Sequence, residues 1–347
     1  MVIRVATFNT ALSRDHAGDL ARALLSKQDQ QAKDVAQIIM QVSADVILLN
    51  EFDYDETGAS IDVFQDHYLS MLGTCYPYTF IAPVNTGMPS GRDLNKDGIA
   101  SDNEGDALGY GFFPGQYGMA ILSRFPINVQ MSRTFQTFLW KDMPNAKLPS
   151  HPDGGPWFDR GDLAVLPLSS KAHWDLSVDV EGQTVHFLCS HPTPPVFDGV
   201  ERRNACRNHD EIRFWTEYLS NNGEIYDDNG QFGSLAEKAP FIILGDLNAS
   251  LTEGESLSGG IGGLLDHPRV LSEIVPSSEG ALNHSPNLKN AQYHTASWKI
   301  RADYVLPSKD FTVLTSAVFW PVEGEPMARA VTEASDHRLV YLDVQLN

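Results

Sequence analysis

The sequence predicts an α/β protein built on mixed or antiparallel sheets. Three observations carry that prediction. Short apolar, β-branched runs of strand length recur along the 347 residues. Two stretches, 29–42 and 211–219, carry apolar residues at helical spacing. Polar clusters follow four of the strand-like runs but precede two others. If all six clusters line one site, the last strands run opposite to the first four. An all-parallel doubly wound sheet is then excluded.

The strand-like runs are residues 2–8, 45–49, 119–122, 184–189, 241–244, 304–306 and 339–344, each bounded by turn residues. The first helical stretch places Val35, Ile38, Ile39 and Val42 on one face, and the second places Ile212, Trp215 and Leu219 likewise. Residues 84–115 and 141–162 are rich in Gly, Asn, Asp and Pro and read as loop insertions. Loops of that length are usually functional or flexible. Neither could be a separate domain, and no repeat or low-complexity tract divides the chain. A single domain over 1–347 is expected.

Apolar residues make up 42% of the chain, enough for a sizeable core, which rules out an intrinsically disordered protein. No apolar run is long enough for a transmembrane helix. The net charge of −20 disfavours broad neutralisation of nucleic-acid phosphates, so no stable nucleic-acid complex is expected. It does not exclude a nuclease whose metals supply positive charge locally. Three cysteines, Cys75, Cys189 and Cys206, are too few for a disulfide scaffold and leave one pair plus a free thiol open. The chain opens directly in a strand-like run, MVIRVATFNT. Two expectations stand: a cytoplasmic protein, or an exported one whose signal peptide has been removed.

The polar clusters carry the chemistry. VATFNT ends at Asn9, VILLNEFD at Asn50 and Glu51, VHFLCSHPTP at His191, and FIILGDLNAS at Asp246 and Asn248. RADYVLP begins with Asp303, and SDHRLVYLDV with Asp336 and His337. Singly, each has a bland reading as a strand-terminal turn, an Asx turn or a satisfied histidine. Together they supply hard oxygen ligands suited to Mg²⁺, Mn²⁺ or Ca²⁺. They also supply two histidines that can move protons near neutral pH. No serine nucleophile elbow is present. The set fits metal-assisted attack of water on a phosphoryl group.

The pieces TFNT, LLNEFD, YGMAILSR, CSHPTP, ILGDLNA, RADYVL and SDHRLV, in this order, resemble the endonuclease/exonuclease/phosphatase (DNase I-like) superfamily. The resemblance spans the chain from Asn9 to His337. It implies a four-layer αββα sandwich of two packed mixed sheets flanked by helices. It also implies roles: Glu51 as principal metal ligand, with Asn9 and Asp336 near the same ion or its water. Asp246 and Asn248 would orient the attacking water and contact the scissile phosphate. Asp303 and His337 would form a carboxylate–histidine dyad, and His191 would contact phosphate and protonate the leaving oxygen. Which histidine is acid and which is base stays open.

One segment, HPTPPVFDGVERRNACRNHDEIRFW, departs from the deoxyribonuclease and abasic-endonuclease versions and resembles those of a bacterial group known by superfamily name. Its Arg202, Arg203 and Arg207 could hold an anionic substrate, or could pair with Asp198, Glu201, Asp210 and Glu211 around them.

A second metal site is expected in the first insertion. Residues 93–104, DLNKDGIASDNE, fit the twelve-residue calcium loop at every specified position. The ligands would be Asp93, Asn95, Asp97, the Ile99 carbonyl, Ser101 and a bidentate Glu104. The flanks are not amphipathic helices, so a structural calcium loop is expected, not a paired switch. Permanently bound Ca²⁺ tilts the expectation towards a secreted or periplasmic setting.

The function expected is a metal-dependent phosphoesterase, phosphodiesterase before phosphomonoesterase, using Mg²⁺ or Mn²⁺ (or Ca²⁺) at its centre and acting as a monomer on a phosphate ester. The rival is a catalytically silent relative that binds a phosphorylated ligand. A membrane-surface enzyme would need exposed aromatics. Phe112–Phe113 and residues 135–140 are the candidates, and core packing is the expectation for both.

Overall fold

A computed structural model describes residues 1–221 and 223–347. Eleven strands are present among them: β1 (Val2–Leu12), β2 (Val46–Phe52), β3 (Tyr78–Phe80), β4 (Met119–Ser123), β5 (Arg133–Thr134), β6 (His173–Val180), β7 (Gln183–Ser190), β8 (Phe241–Asp246), β9 (Asp303–Pro307), β10 (Phe311–Val318) and β11 (Val340–Leu346). They form a six-stranded sheet, β10-β11-β1-β2-β4-β3, and a five-stranded sheet, β5-β6-β7-β8-β9. Both are mixed. β1 and β2 are parallel, as are β7 and β8, whereas β11 runs antiparallel to β1 and β9 antiparallel to β8. The reversal required of the last strands is therefore present.

Period-two alternation builds the layers. Ile3 and Val5 of β1, Val46 and Leu48 of β2, Trp174 and Leu176 of β6, Phe187 of β7, Ile242 and Leu244 of β8 and Val305 of β9 share one core between the sheets. The alternate residues Ala6, Phe8, Ile47 and Leu49 face outward and pack under the helix Gln30–Val42. On the second sheet, Leu188, Ile243, Tyr304 and Leu306 face outward against the helix Arg203–Leu219. The result is four layers, αββα.

The first long helix begins where expected: the Asp29 side chain caps it by accepting from Ala32 N, and it closes at Ser43 in the left-handed region. The second begins at Arg203, eight residues before the apolar periodicity does. Its first two turns bury Asn208 and Asp210, so no amphipathic pattern announces them. Those groups are hydrogen-bonded instead: Asn208 Nδ2 to the Thr193 and Leu247 carbonyls, and Asp210 from Trp140 Nε1. Asp198, outside the helix, accepts from Asn204 N and Ala205 N and caps its start.

Residues 84–115 contain no helix or strand, only isolated bridges such as Thr86–Gly109 and Pro89–Ala107. Residues 141–162 hold only the end of one short helical turn and the start of the helix Arg160–Leu163. Phe135, Phe138 and Trp140 are core, as expected. Phe112 is not: it is 58% exposed, and its ring meets the equally exposed Tyr110 edge to face. All three cysteines are free thiols. No helix of the described residues is long and apolar enough to cross a membrane.

Candidate active site

The same alternation that fills the core continues polar at one rim. Along β1 the inward positions run Ile3, Val5, Thr7, Asn9; along β2, Val46, Leu48, Asn50; along β8, Ile242, Leu244, Asp246; and β9 opens inward at Asp303. Apolar parity thus delivers polar side chains from both sheets to one place. Thr7 Oγ1 donates to Asn50 Oδ1, which also accepts from Asp246 N across the sheets. Gly245 permits the close approach of β8 to β7: a Cβ there would lie 2.0 Å from the Ser190 carbonyl oxygen. That brings Asp246 beside His191.

Asp246 is the hub. Its Oδ2 accepts from Asn9 Nδ2 at 3.0 Å and lies 3.4 Å from both His191 Nε2 and His337 Nε2. Its Oδ1 accepts from Asn248 N at 3.0 Å, so the Asx turn and the functional placement are the same feature. Asn248 sits at φ 51° and donates its amide to the Pro192 carbonyl, tying its loop to that of His191. Asn9 also donates to Glu51 Oε1 at 3.0 Å. Asp303 Oδ2 pairs with His337 Nδ1 at 2.9 Å and accepts from Thr295 Oγ1 at 2.6 Å. The implied dyad is thus present, with Thr295 fixing its carboxylate.

Burial and charge set the protonation states. Burial alone would raise the Asp246 carboxyl. The two imidazoles and the Asn9 amide reverse that and hold it well below the ordinary carboxylate range. Burial also works against charge on His337. The Asp303 and Asp246 carboxylates outweigh it and raise the imidazole to about 10. His191 moves the other way: burial, reinforced by the Lys171 ammonium, lowers it below its ordinary value. One hub carboxylate is therefore flanked by a charged and a neutral imidazole.

A cavity of about 410 Å³ opens over this cluster, with Glu51, Asp246, Asn248, Asp336 and His337 in its wall. Glu51, at φ 54°, is half-buried, and Asp336 is exposed. Their carboxylates and the Asn9 amide form a hard, oxygen-rich donor set that fits Mg²⁺ or Mn²⁺. Asp246, Asp303 and His337 also gather ligand atoms within 4.8 Å of one another. An imidazole clamped between two carboxylates accounts for that proximity.

Lys171 is a residue that the sequence reading missed. It precedes β6 and is 6% exposed, yet its ammonium forms no hydrogen bond or ion pair with any described residue. Its charge acts on Glu211, Glu51, Asp246 and His191. Burial lowers its pKa despite those carboxylates. Nothing in LSSKAHW marks it, because only tertiary packing brings it to this rim.

The arginines lie elsewhere. Arg202 donates to the Glu255 carbonyl and comes no nearer than 4.0 Å to Asp198. Arg203 donates to the Leu94 carbonyl and stands 3.8 Å from Glu201. Arg207 donates to four carbonyls, those of Leu168, Leu108, Pro167 and Ser169. None lines the catalytic cavity.

In the calcium-type loop, Asp93 Oδ2 accepts from Gly98 N, Asn95 Oδ1 from Asp97 N, and Asp97 Oδ1 from Ile99 N. Gly98 makes the turn at φ 94°. The loop's carboxylates, Asp93, Asp97 and Glu104, do not converge as the Asp246 group does. The buried Asp106, just past the loop, accepts from Leu94 N, Asn95 N and the Ser101 hydroxyl and ties the loop together.

Residues 6–337 match the Endonuclease/Exonuclease/phosphatase family. The chain belongs to that family. Its members are metal-dependent phosphoesterases and use divalent ions such as Mg²⁺. Among solved structures, a family protein from Beutenbergia cavernae is 19% identical over 100% of this chain and 72% of that one, with a TM-score of 0.56. The catalytic domain of human Nocturnin is 16% identical over 100% and 94%, at 0.51. Sphingomyelinase C from Streptomyces griseocarneus is 15% identical over 99% of each chain, at 0.50. At such identities the likeness is one of fold. No curated protein matches the sequence.

Proposed function

We propose that this family member is a divalent-metal-dependent phosphodiesterase that cleaves a P–O bond by direct attack of water. The observation that supports it most is the Asp246 carboxylate, held ionised between two histidines beneath the cavity that Glu51 and Asp336 also line. Glu51, Asp336 and the Asn9 amide would hold the metal, which supplies Lewis-acid polarisation of the phosphoryl oxygen when bound. Asp246 and Asn248 orient the attacking water. His337, positioned by Asp303, presents its Nε2–H to a phosphoryl oxygen. His191 lies on the other side of Asp246, at the leaving oxygen, and the Lys171 ammonium acts on both groups from outside the cavity wall.

A diester suits the cavity better than a monoester dianion. No arginine or lysine lines its wall, which carries Glu253 and Glu255 besides the catalytic acids. The calcium loop at 93–104 has a structural role in the reading, ordering the first insertion. The chain acts as one domain and as a monomer, in a calcium-rich extracellular or periplasmic setting.

The test is hydrolysis of bis-p-nitrophenyl phosphate against p-nitrophenyl phosphate, after chelation and return of Mg²⁺, Mn²⁺ or Ca²⁺. We expect metal-restored turnover of the diester, lost by at least ~10³-fold in Glu51→Ala. Monoester preference would move the reading to a phosphatase. Turnover of neither would favour the silent phospho-ligand-binding relative.

A further inference from the structure

Beside the catalytic cavity lies a larger one, of about 650 Å³, which the catalytic mechanism leaves unused. The two share Pro194 and Phe197 in their walls. Phe197 is 93% exposed and sits at φ 59°, where a bulky side chain is strained, so the ridge between the cavities presents an aromatic face to solvent at a conformational cost. The floor of the larger cavity is apolar, formed by edges of Leu94, Trp140, Phe158 and Leu166. Its volume is that of a small-molecule site.

Its wall carries two guanidiniums against one carboxylate, Glu104, whereas its neighbour's wall is mainly acidic. Arg203 and Arg207 stand in its wall. Arg207 is fixed by four backbone carbonyls, which hold its orientation but leave its charge uncancelled, and it forms no ion pair with any described residue. Arg203 comes no closer than 3.8 Å to its nearest carboxylate, Glu201. In a chain of net charge −20, two such guanidiniums on an apolar cavity are a local reversal of sign. Apart from His337, which the scissile phosphate takes up in this reading, the ionisable groups in the catalytic cavity's wall are carboxylates.

We propose that the larger cavity is a subsite for the non-reacting part of the substrate: an aromatic or apolar body bearing its own anionic group, carboxylate or phosphate. The inference rests on the phosphoesterase reading. The scissile phosphate sits over Asp246, the chain of the substrate crosses the Pro194–Phe197 ridge, the body lies on Trp140 and Phe158, and the anion meets Arg203 and Arg207.

Two measurements test this. The first is calorimetric titration of 2-naphthoate into the whole protein. We expect one site, weakened at least tenfold by Arg203→Met, abolished by Ala107→Phe (which fills the cavity), and retained by Glu51→Ala. Circular dichroism confirms that each variant is folded. The second compares kcat/KM for 4-carboxybenzyl p-nitrophenyl phosphate and methyl p-nitrophenyl phosphate. A preference of at least tenfold for the carboxybenzyl diester, collapsing towards one in Arg203→Met, is expected. Absent binding, binding untouched by both cavity variants, binding lost in Glu51→Ala, or no preference between the diesters would each overturn the subsite. If neither diester is turned over, the phosphoesterase reading fails, and naphthoate binding still decides the cavity.

Discussion

Replacing Lys171 by methionine should make the protein more stable and less active. The side chain is 6% exposed and its ammonium has no hydrogen-bonding partner among the described residues, while burial outweighs the pull of Glu211, Glu51 and Asp246 on its pKa. The charge is therefore held at a net cost to the fold. Methionine keeps most of the volume and removes the charge, which should stabilise by ~1–3 kcal/mol. For 347 residues that is a rise of ~1–4 °C in Tm. Activity should move the opposite way. A preorganised cation whose charge acts on Asp246 and His191 is worth a factor of up to ~10²–10³ in kcat, by analogy with loss of one oxyanion donor. Differential scanning calorimetry and diester turnover on the same preparation read both effects. A purely structural lysine would give a lower Tm together with lost activity. A Lys171→Met protein that melts lower, or that turns over within twofold of wild type, would leave Lys171 without this catalytic role.

Three further outcomes are expected. Asp303→Asn removes the charge that orients His337 at 2.9 Å and favours its protonated form, and kcat should fall by ~10³-fold; a loss under tenfold would leave the dyad without a catalytic role. His173 is buried and held at about 4, chiefly by desolvation, against an ordinary 6.5, so the unfolded chain takes up that proton first as pH falls. Its contribution to stability is present above pH 6.5 and lost between 6.5 and 4, about 3 kcal/mol in all, which denaturant melts of wild type against His173→Gln across that window should show. Millimolar Ca²⁺ should slow proteolysis within residues 93–104, an effect that Glu104→Gln removes; equal cleavage rates with and without Ca²⁺ would leave the loop an ordinary acidic turn.

Most of the candidate site was legible because strand periodicity is local. Once Val5 and Leu244 face the core, Asn9 and Asp246 must as well, and a polar residue at such a position stands out. The mixed sheets followed from the same clusters lying after some strands and before others. What escaped had no local signature. β6 alternates cleanly through Trp174, Leu176 and Val178, but Asp175 and Ser177 between them are buried too, Asp175 accepting from the Tyr218 hydroxyl and Ser177 donating its hydroxyl to the Met131 carbonyl, so no continuous apolar run flags it. The first two turns of the helix Arg203–Leu219 bury polar groups under loops and look like a solvated segment.

Which residue types reach the rim is a matter of local alternation and spacing, which are properties of the chain. Tertiary structure alone decided who meets whom. Asp303 opens a strand of one sheet and His337 precedes a strand of the other, so their 2.9 Å contact exists only because the sheets pack face to face. The same packing spends Arg207 on backbone carbonyls and leaves Lys171 unpaired beside the catalytic acids. Long flexible cations carry no periodic signal, and their partners are fixed only when distant segments close around them.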